Sequence, residues 1–138
     1  MNYCTQAQLI ELYGETVLAQ LTDDNRPAKQ INPVLIDRAL EDADSEIDLH
    51  LQGRYPLPLL TVPRVLVRIA GSIAYANLHK NLGENHPALR AAEHSRRMLK
   101  GISKGELSIG LDVAGDVVPV ADNVQISGGR NDFAQGGW

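Results

Sequence analysis

The sequence is poor in aromatic residues and in cysteine. Aromatic side chains make up 4% of the 138 residues, so the core must consist mainly of Leu, Ile, Val and Ala. A base-stacking surface for single-stranded nucleic acid is therefore not expected. The single cysteine, Cys4, can form no disulfide within the chain, which favours a reducing compartment. No histidine or basic cluster near it in the sequence marks it as a nucleophile.

Long hydrophobic runs and targeting signals are also missing. No apolar stretch approaches the roughly 20 residues that a membrane-spanning helix requires. The N-terminal sequence MNYCTQAQLIELYG has no basic stretch before an apolar one, so it does not resemble a signal peptide. We expect a soluble protein that is made in the cytoplasm and has no membrane partner.

The common motifs of catalysis and cofactor binding do not occur in the sequence. There is no H-E-x-x-H, C-x-x-C, phosphate-binding loop, G-x-G-x-x-G or G-x-S-x-G. The four histidines have no neighbours at metal-ligand spacing: His50, His79, His86 and His94. The sequence therefore predicts no metal site, no cofactor and no enzyme.

What the sequence does contain is a series of helix signals. Thr5 and Gln8 have the spacing of a capping box, and Gly14 marks a break between two short helical segments. Asn32 and Pro33 are typical of a helix start, and Gly53 is predicted to end that helix in a left-handed conformation. This helix carries an apolar stripe at spacings of three and four residues.

Two further helices follow the same pattern. One begins near Pro63, is predicted to end at Gly83, and is apolar around most of its circumference, as expected of a central helix or one at a subunit interface. The other begins at Asn85 or His86 with Pro87 in its first turn, and Gly101 is predicted to end it. We therefore predict an all-α fold, a bundle of four to five helices over residues 1–111. Residues 112–138 are predicted to form an extended, glycine-rich C-terminal arm.

Charge is unevenly distributed in this chain of net charge −4. Residues 1–60 contain ten acidic and four basic residues, and the remainder contains seven acidic and nine basic residues. On the helix that starts at Asn32 we predict an acidic intersubunit face: Asp37, Glu41, Asp44 and Asp48. On the helix that starts at Asn85 or His86 we predict a basic intersubunit face: Arg90, Arg96, Arg97 and Lys100. Such faces, meeting head to tail, would generate a ring. The alternative is that both are solvated, or paired across the bundle within one chain.

The same basic residues raise a second possible function. Arg96, Arg97, Lys100 and Lys104 could lie along one helix and contact phosphates, as in a small helical DNA-binding protein. The acidic net charge argues against this class, because DNA-binding modules usually have a basic surface. A solvated helix end is the simpler interpretation, since cations are favoured near a helix C-terminus.

Four ordered stretches carry a resemblance to a known family. They are ALEDADSEIDLHLQGRYPLPL (39–59), VPRVLVRIAGSIAYANL (62–78), LKGISKGELSIGL (99–111) and the ending GGRNDFAQGGW. With these motifs the chain resembles, nearly end to end, the small head–tail connector (adaptor) proteins of Mu-like phages and prophages.

The resemblance implies a structural protein of the virion, assembled in the host cytoplasm. Related adaptors form a ring, commonly dodecameric, beneath the portal protein, extend the DNA channel without sequence-specific binding, and dock the next neck or tail component. In several of them a C-terminal arm packs on the portal. On this resemblance Arg130, Phe133 and Trp138 are expected to anchor that arm.

The stretch GRYPLPLL is the most characteristic of these marks. We predict that Gly53, Arg54, Tyr55, Pro56 and Pro58 form a rigid corner between two helices, because each proline biases the residue before it toward an extended conformation. Tyr55 is expected to bury its ring. Arg54 is expected to cap carbonyls at the helix end or to pair with an acidic neighbour.

Overall fold

The computed structural model of the chain describes residues 2–25 and 27–111, and helices account for most of them. The five helices are α1 (Gln6–Tyr13), α2 (Glu15–Thr22), α3 (Pro33–Leu51), α4 (Arg64–Leu78) and α5 (Pro87–Ser103). The all-α bundle predicted from the helix signals is confirmed. The predicted arm, residues 112–138, lies outside the described residues.

Local chemistry sets the helix starts as predicted. The Thr5 side chain accepts a hydrogen bond from the Gln8 backbone N–H, and the Gln8 side chain accepts one from the Thr5 N–H, which completes a capping box. Asn32 accepts from the Val34 N–H at the start of α3, and His86 accepts through Nδ1 from the Ala88 N–H at the start of α5. Both of these helices have proline in the first turn, where no N–H is needed.

Gly14 separates α1 from α2, as predicted, through a conformation that only glycine adopts easily. Its φ of 91° and ψ of 146° lie in a region that side chains with a Cβ avoid. The chain then turns so that α1 and α2 contact each other and α1 also contacts α3 and α4. The break therefore folds two short helices onto the main bundle.

α4 is the central helix of the bundle. Ten of its 15 residues are buried, and it packs most extensively on α3 and then on α5. Gly71 provides room for α1, because a Cβ at this position would come within 2.7 Å of the Leu12 Cδ1 atom. The prediction of a centrally placed apolar helix is confirmed.

The three glycines predicted to end helices do not do so. α3 ends at Leu51, whose carbonyl accepts the N–H groups of Arg54 and Tyr55 in a right-handed turn, and Gly53 has no positive φ. α4 ends at Leu78, five residues before Gly83. Here Nδ1 of the His79 ring is hydrogen-bonded to the Tyr75 carbonyl oxygen at 2.8 Å. If the helix continued, the backbone N–H of His79 would need the same oxygen.

α5 continues through Gly101 and ends at Ser103. Gly105 adopts the left-handed conformation (φ 80°) instead, and its N–H donates to the Ile102 carbonyl while the Glu106 N–H donates to the Gly101 carbonyl. This is a Schellman ending. Leu107 folds back over Gly101, where a Cβ would lie 2.9 Å from its Cδ1 atom. A glycine does follow the end of this helix, but it is Gly105, four residues after the predicted Gly101.

Candidate assembly surfaces

The predicted acidic face divides into buried and exposed parts. Asp44 is buried, with 6% of its surface exposed, and accepts a hydrogen bond from the Tyr3 backbone N–H at 3.0 Å. Asp48 is half-buried and accepts from the Tyr3 hydroxyl at 2.5 Å. These two carboxylates hold the N-terminal segment against α3. Asp44 is therefore not part of an exposed surface, because helical spacing places it next to the apolar stripe of Leu40 and Ile47.

The pKa values of Asp44, Tyr3 and Cys4 are raised in this buried contact. Burial raises the pKa of Asp44, and the hydrogen bond from the Tyr3 N–H opposes part of that rise. Burial, followed by the bond to Asp48, raises the pKa of Tyr3 well above its usual value. The neighbouring Cys4 is 1% exposed, and burial raises the pKa of its thiol to about 11. Cys4 is therefore a packed core residue and a poor nucleophile.

Asp37 and Glu41 are the predicted acidic residues that lie at the surface. Both are exposed, and neither makes an ion pair with another residue of the described parts of the chain. At 100° per residue, Asp37 lies about half a turn and Glu41 about 140° around α3 from Glu46. Asp37 and Glu41 therefore lie on one flank of α3, and Glu46 lies on the opposite flank.

Glu46 and Arg96 form an ion pair between α3 and α5 within the chain. Arg96 donates from Nε to Oε2 of Glu46 (2.6 Å) and from a terminal nitrogen to Oε1 (3.2 Å), so the contact is bidentate. For Arg96, the alternative of pairing across the bundle is thus the observed arrangement. Its side chain is still 38% exposed.

The other three residues of the predicted basic face point into solvent. Arg90, Arg97 and Lys100 are exposed, and none of them forms an ion pair within residues 2–25 and 27–111. Arg90 and Arg97 are seven residues apart, so they lie on almost the same line along α5. Lys104, just after the helix, extends this line. α5 therefore exposes a mainly basic stripe, in which the exposed Glu93 lies between Arg90 and Arg97.

The segment for which we predicted a rigid corner joins α3 to α4. Tyr55 and Leu59 are buried, whereas Pro56, Pro58 and Arg54 are exposed, and the Leu57–Pro58 peptide bond is cis. The burial of the Tyr55 ring is as expected.

We expected Arg54 to cap the helix end or to pair with an acidic neighbour, and among the described residues it does neither. Its guanidinium carbon lies 5.9 Å from the Tyr55 ring centroid, and a terminal nitrogen would be 2.7 Å from a Cβ on Gly105. Arg54 thus links the corner to the turn after α5. Both lie at one end of the bundle, because α3 and α5 run in the same direction.

An apolar groove between α1, α4 and α5 was not foreseen from the sequence. It has a volume of about 340 Å³ and is walled by Leu12, Val65 and Met98 among others. Next to it Tyr13 stacks on Tyr75 with ring centroids 3.9 Å apart. The sequence contained no signal for the groove, because it depends on how α1 lies across α4.

The histidines and the three predicted arm anchors are the residues still to be placed. Among the residues that the structure describes, no cluster of three His, Cys, Asp or Glu side chains could hold a metal ion. His50 and His79 contact main-chain carbonyls of their own helices through Nδ1, and His86 caps α5. Arg130, Phe133 and Trp138 lie outside the described residues, so their role stays a prediction.

Comparison with known proteins identifies the family. The family model described as "Bacteriophage Mu, Gp36" matches residues 3–127. The chain belongs to this family. The match ends before Arg130, so the three predicted arm anchors fall beyond it.

Two relatives are named as products of Mu or a Mu-like prophage. The chain is 38% identical over 109 residues to "Mu-like prophage FluMu protein gp36" of Haemophilus influenzae, a match that covers 79% of this chain and 76% of the relative. It is 35% identical over 81 residues to "Gene product J" of Escherichia phage Mu, covering 59% and 57%. These names indicate a phage protein, and the family description names no enzymatic activity.

A third match is to Ribonuclease Y of Chlorobium phaeobacteroides. It is 32% identical over 114 residues, which is 73% of this chain but only 21% of that enzyme. Such a small share carries nothing about the enzyme's activity. In residues 2–25 and 27–111, no helix has both the length and the hydropathy needed to cross a membrane.

Proposed function

We propose that this phage protein is a head–tail connector, or adaptor, that forms a ring beneath the portal protein. In this role it extends the DNA channel and docks the next component of the neck or tail. Membership of the Mu Gp36 family, together with relatives named for Mu and a Mu-like prophage, supports a role in such a phage. The connector role itself is inferred from the motifs described above and from the charge arrangement of the helical body.

The observation that carries the ring is the placement of exposed charge on α3 and α5. Asp37 and Glu41 lie on one exposed flank of α3, and Arg90 and Arg97 lie on an exposed stripe of α5. The Glu46–Arg96 pair joins the two helices inside the subunit. Asp37, Glu41, Arg90 and Arg97 make no ion pair within residues 2–25 and 27–111, so their charges are available to a neighbouring subunit. Two unlike surfaces on one subunit are what a head-to-tail ring requires.

In the ring, Asp37 and Glu41 of one subunit meet Arg90, Arg97 and Lys100 of the next. Charge pairs at such a contact set the register and exclude wrong partners more than they add affinity. Arg130, Phe133 and Trp138 supply the aromatic and arginine anchors that bind the portal, a composition typical of interface hot spots. DNA then passes through the channel without sequence-specific contacts.

The ring contact is tested by charge reversal in the presence of purified portal protein. Asp37→Lys with Glu41→Lys should abolish the ring seen by electron microscopy and native mass spectrometry, and so should Arg90→Glu with Arg97→Glu. Mixing the two variants should restore an alternating ring, because each then offers the charge that the other needs. Rings that persist in both single-face variants would overturn the contact.

The portal anchor is tested with the full-length chain. Arg130→Ala, Phe133→Ala and Trp138→Ala together should reduce portal binding at least about tenfold in a pull-down or by interferometry. Gln135→Ala, in the same stretch, is the matched control and should bind as the parent does. Unchanged binding of the triple variant would remove the anchor from the proposal.

The connector role has its own test in a phage that encodes the protein. Deletion of the gene should leave DNA-filled heads and separate tails, which electron microscopy distinguishes from joined particles. Joined particles in the deletion would overturn the role.

DNA binding is the second candidate, because Arg90, Arg97 and Lys100 are exposed on α5. It predicts salt-dependent DNA retention by the purified protein that is lost in Arg90→Ala with Arg97→Ala. Retention with this dependence, together with no ring on the portal, would favour the DNA-binding function.

A further inference from the structure

The groove between α1, α4 and α5 has the properties of a peptide-binding surface. Its walls are mainly apolar and include Leu12, Val65 and Met98, and its volume is about 340 Å³. Arg68 is the cationic side chain among the residues that line it, His94 adds an imidazole, and no carboxylate is among them. An occupant should therefore be apolar and acidic.

The floor of the groove carries a hydrogen-bond acceptor. The Ser72 hydroxyl donates its one hydrogen to the Ile69 carbonyl at 3.0 Å. In the hydrogen bond between the Ser72 and Ser95 hydroxyls, which is 2.5 Å long, the Ser95 hydroxyl must then be the donor. Ser95 has 6% of its surface exposed and lines the groove, so its oxygen can accept a hydrogen bond from an N–H that enters. A backbone amide of an extended segment is a donor of this kind.

Residues 112–127 of the chain have the matching composition. The sequence DVAGDVVPVADNVQIS contains five valines, one isoleucine and three aspartates, and it contains no lysine, arginine or histidine. The family match continues beyond the helical body and ends at residue 127, so it includes this segment. The segment therefore lies within the part of the chain that the family model matches.

The segment also has sufficient reach. It follows Leu111, close in sequence to the end of α5, and α5 spans about 25 Å at 1.5 Å per residue. Sixteen extended residues reach about 50 Å. A segment tethered to its own groove has an effective concentration of about 1 mM, above that of a second copy in dilute solution. The geometry and the charge thus favour occupancy by the same chain.

We propose that residues 112–127 bind in the groove between α1, α4 and α5 of their own chain. The valines cover the apolar walls, the aspartates face Arg68 and His94, and a backbone N–H donates to Ser95. The groove is then occupied in the free subunit, whether or not the protein acts as a connector.

Disulfide trapping in the full-length protein tests this placement. Ala91, exposed at the groove, is changed to cysteine and combined in turn with Val113→Cys, Val117→Cys, Val120→Cys or Val124→Cys. At least one pair should form a disulfide under mild oxidation about tenfold faster than matched pairs that use Ser45→Cys on α3. Gly136→Cys, beyond the family match, should show no preference for Ala91. The native Cys4 is buried and stays in place.

The isotopic composition of the product distinguishes the possible occupants. Labelled and unlabelled protein are mixed before oxidation, and the linked peptides are analysed by mass spectrometry. Links within one isotope support the proposal, whereas mixed links would show that a second copy fills the groove and would overturn it. Equal rates for the Ala91 and Ser45 pairs would overturn it as well.

Charge provides a second readout. Arg68→Glu should slow the trapping severalfold, and Arg68→Lys should leave it nearly unchanged, since only the first reverses the charge that faces the aspartates. Equal trapping in both variants would show that the aspartates do not face Arg68 and would overturn this part of the proposal. Circular dichroism confirms that each variant remains helical.

Discussion

α3 and α5 carry charge of opposite sign, and the structure uses the two helices differently. α3 has six acidic residues and one basic residue, and α5 has four basic residues and one acidic residue. On α3 the carboxylates of Asp44 and Asp48 bind Tyr3, and Glu46 binds Arg96. On α5, Arg96 is the one cation that pairs with another of the described residues, and the other three are exposed. The number of charges on a helix therefore says little about the charge of its surface.

Removing the Asp44 side chain should have the largest effect on folding. Asp44→Ala leaves the buried Tyr3 N–H without its acceptor, at a cost of about 2 kcal/mol in the free energy of unfolding. Asp44→Asn keeps an oxygen in the same place and should lose less. Urea denaturation followed by circular dichroism measures both. If the alanine variant were as stable as the parent, Asp44 would not hold the N-terminal segment.

The pH dependence of stability should separate Asp44 from an exposed aspartate. Since burial raises the pKa of Asp44, the folded state binds its proton more tightly than the unfolded state does. Its contribution is therefore fully present below a pH of about 4, the unfolded pKa, and is lost as the pH rises through the higher folded pKa. The difference in unfolding free energy between the parent and Asp44→Asn should fall over this range.

Asp23 provides the control of opposite sign. Its carboxylate accepts backbone N–H groups of Asn25, Lys29 and Gln30, which lower its pKa to about 2. Its contribution is present above a pH of about 4 and is lost as the pH falls toward 2. The difference between the parent and Asp23→Asn should therefore change in the other direction. The same direction for both aspartates would contradict the assignment.

The ion pair between the two helices should have a smaller effect. A double-mutant cycle with Glu46→Ala and Arg96→Ala should give a coupling energy of about 0.5–1 kcal/mol, because the contact is bidentate but partly exposed. High salt should reduce the coupling. A coupling of zero would show that these helices pack without help from the charges.

The sequence predicted what depends on residues two to four positions apart. The caps formed by Thr5, Asn32 and His86 are of this kind, and so is the apolar stripe of α3. The glycine stops failed because other contacts near each helix end decide where the helix stops. At Gly101, Leu107 folds over the glycine while Gly105 takes the left-handed conformation. The presence of a glycine does not by itself decide between such positions.

The candidate surfaces were predicted less well than the fold. Asp44 and Arg96 find partners 41 and 50 residues away, which no local pattern reveals. A weak signal existed for Asp44, since it lies four residues after Leu40 and three before Ile47, within reach of the apolar stripe. The groove required knowledge of how α1 crosses α4 at Gly71.

The smallest effect on folding is expected for Asp37 and Arg97, the exposed side chains on which the proposed ring contact depends. Asp37→Ala and Arg97→Ala should each change the unfolding free energy of the isolated subunit by no more than about 0.5 kcal/mol, because both side chains are exposed and make no ion pair with the described residues. Denaturation measures this directly. A loss well above 1 kcal/mol in either variant would show that the charge serves the fold of the subunit. In that case a failure of ring formation on charge reversal would reflect misfolding, and the contact between α3 and α5 of neighbouring subunits would lose its support.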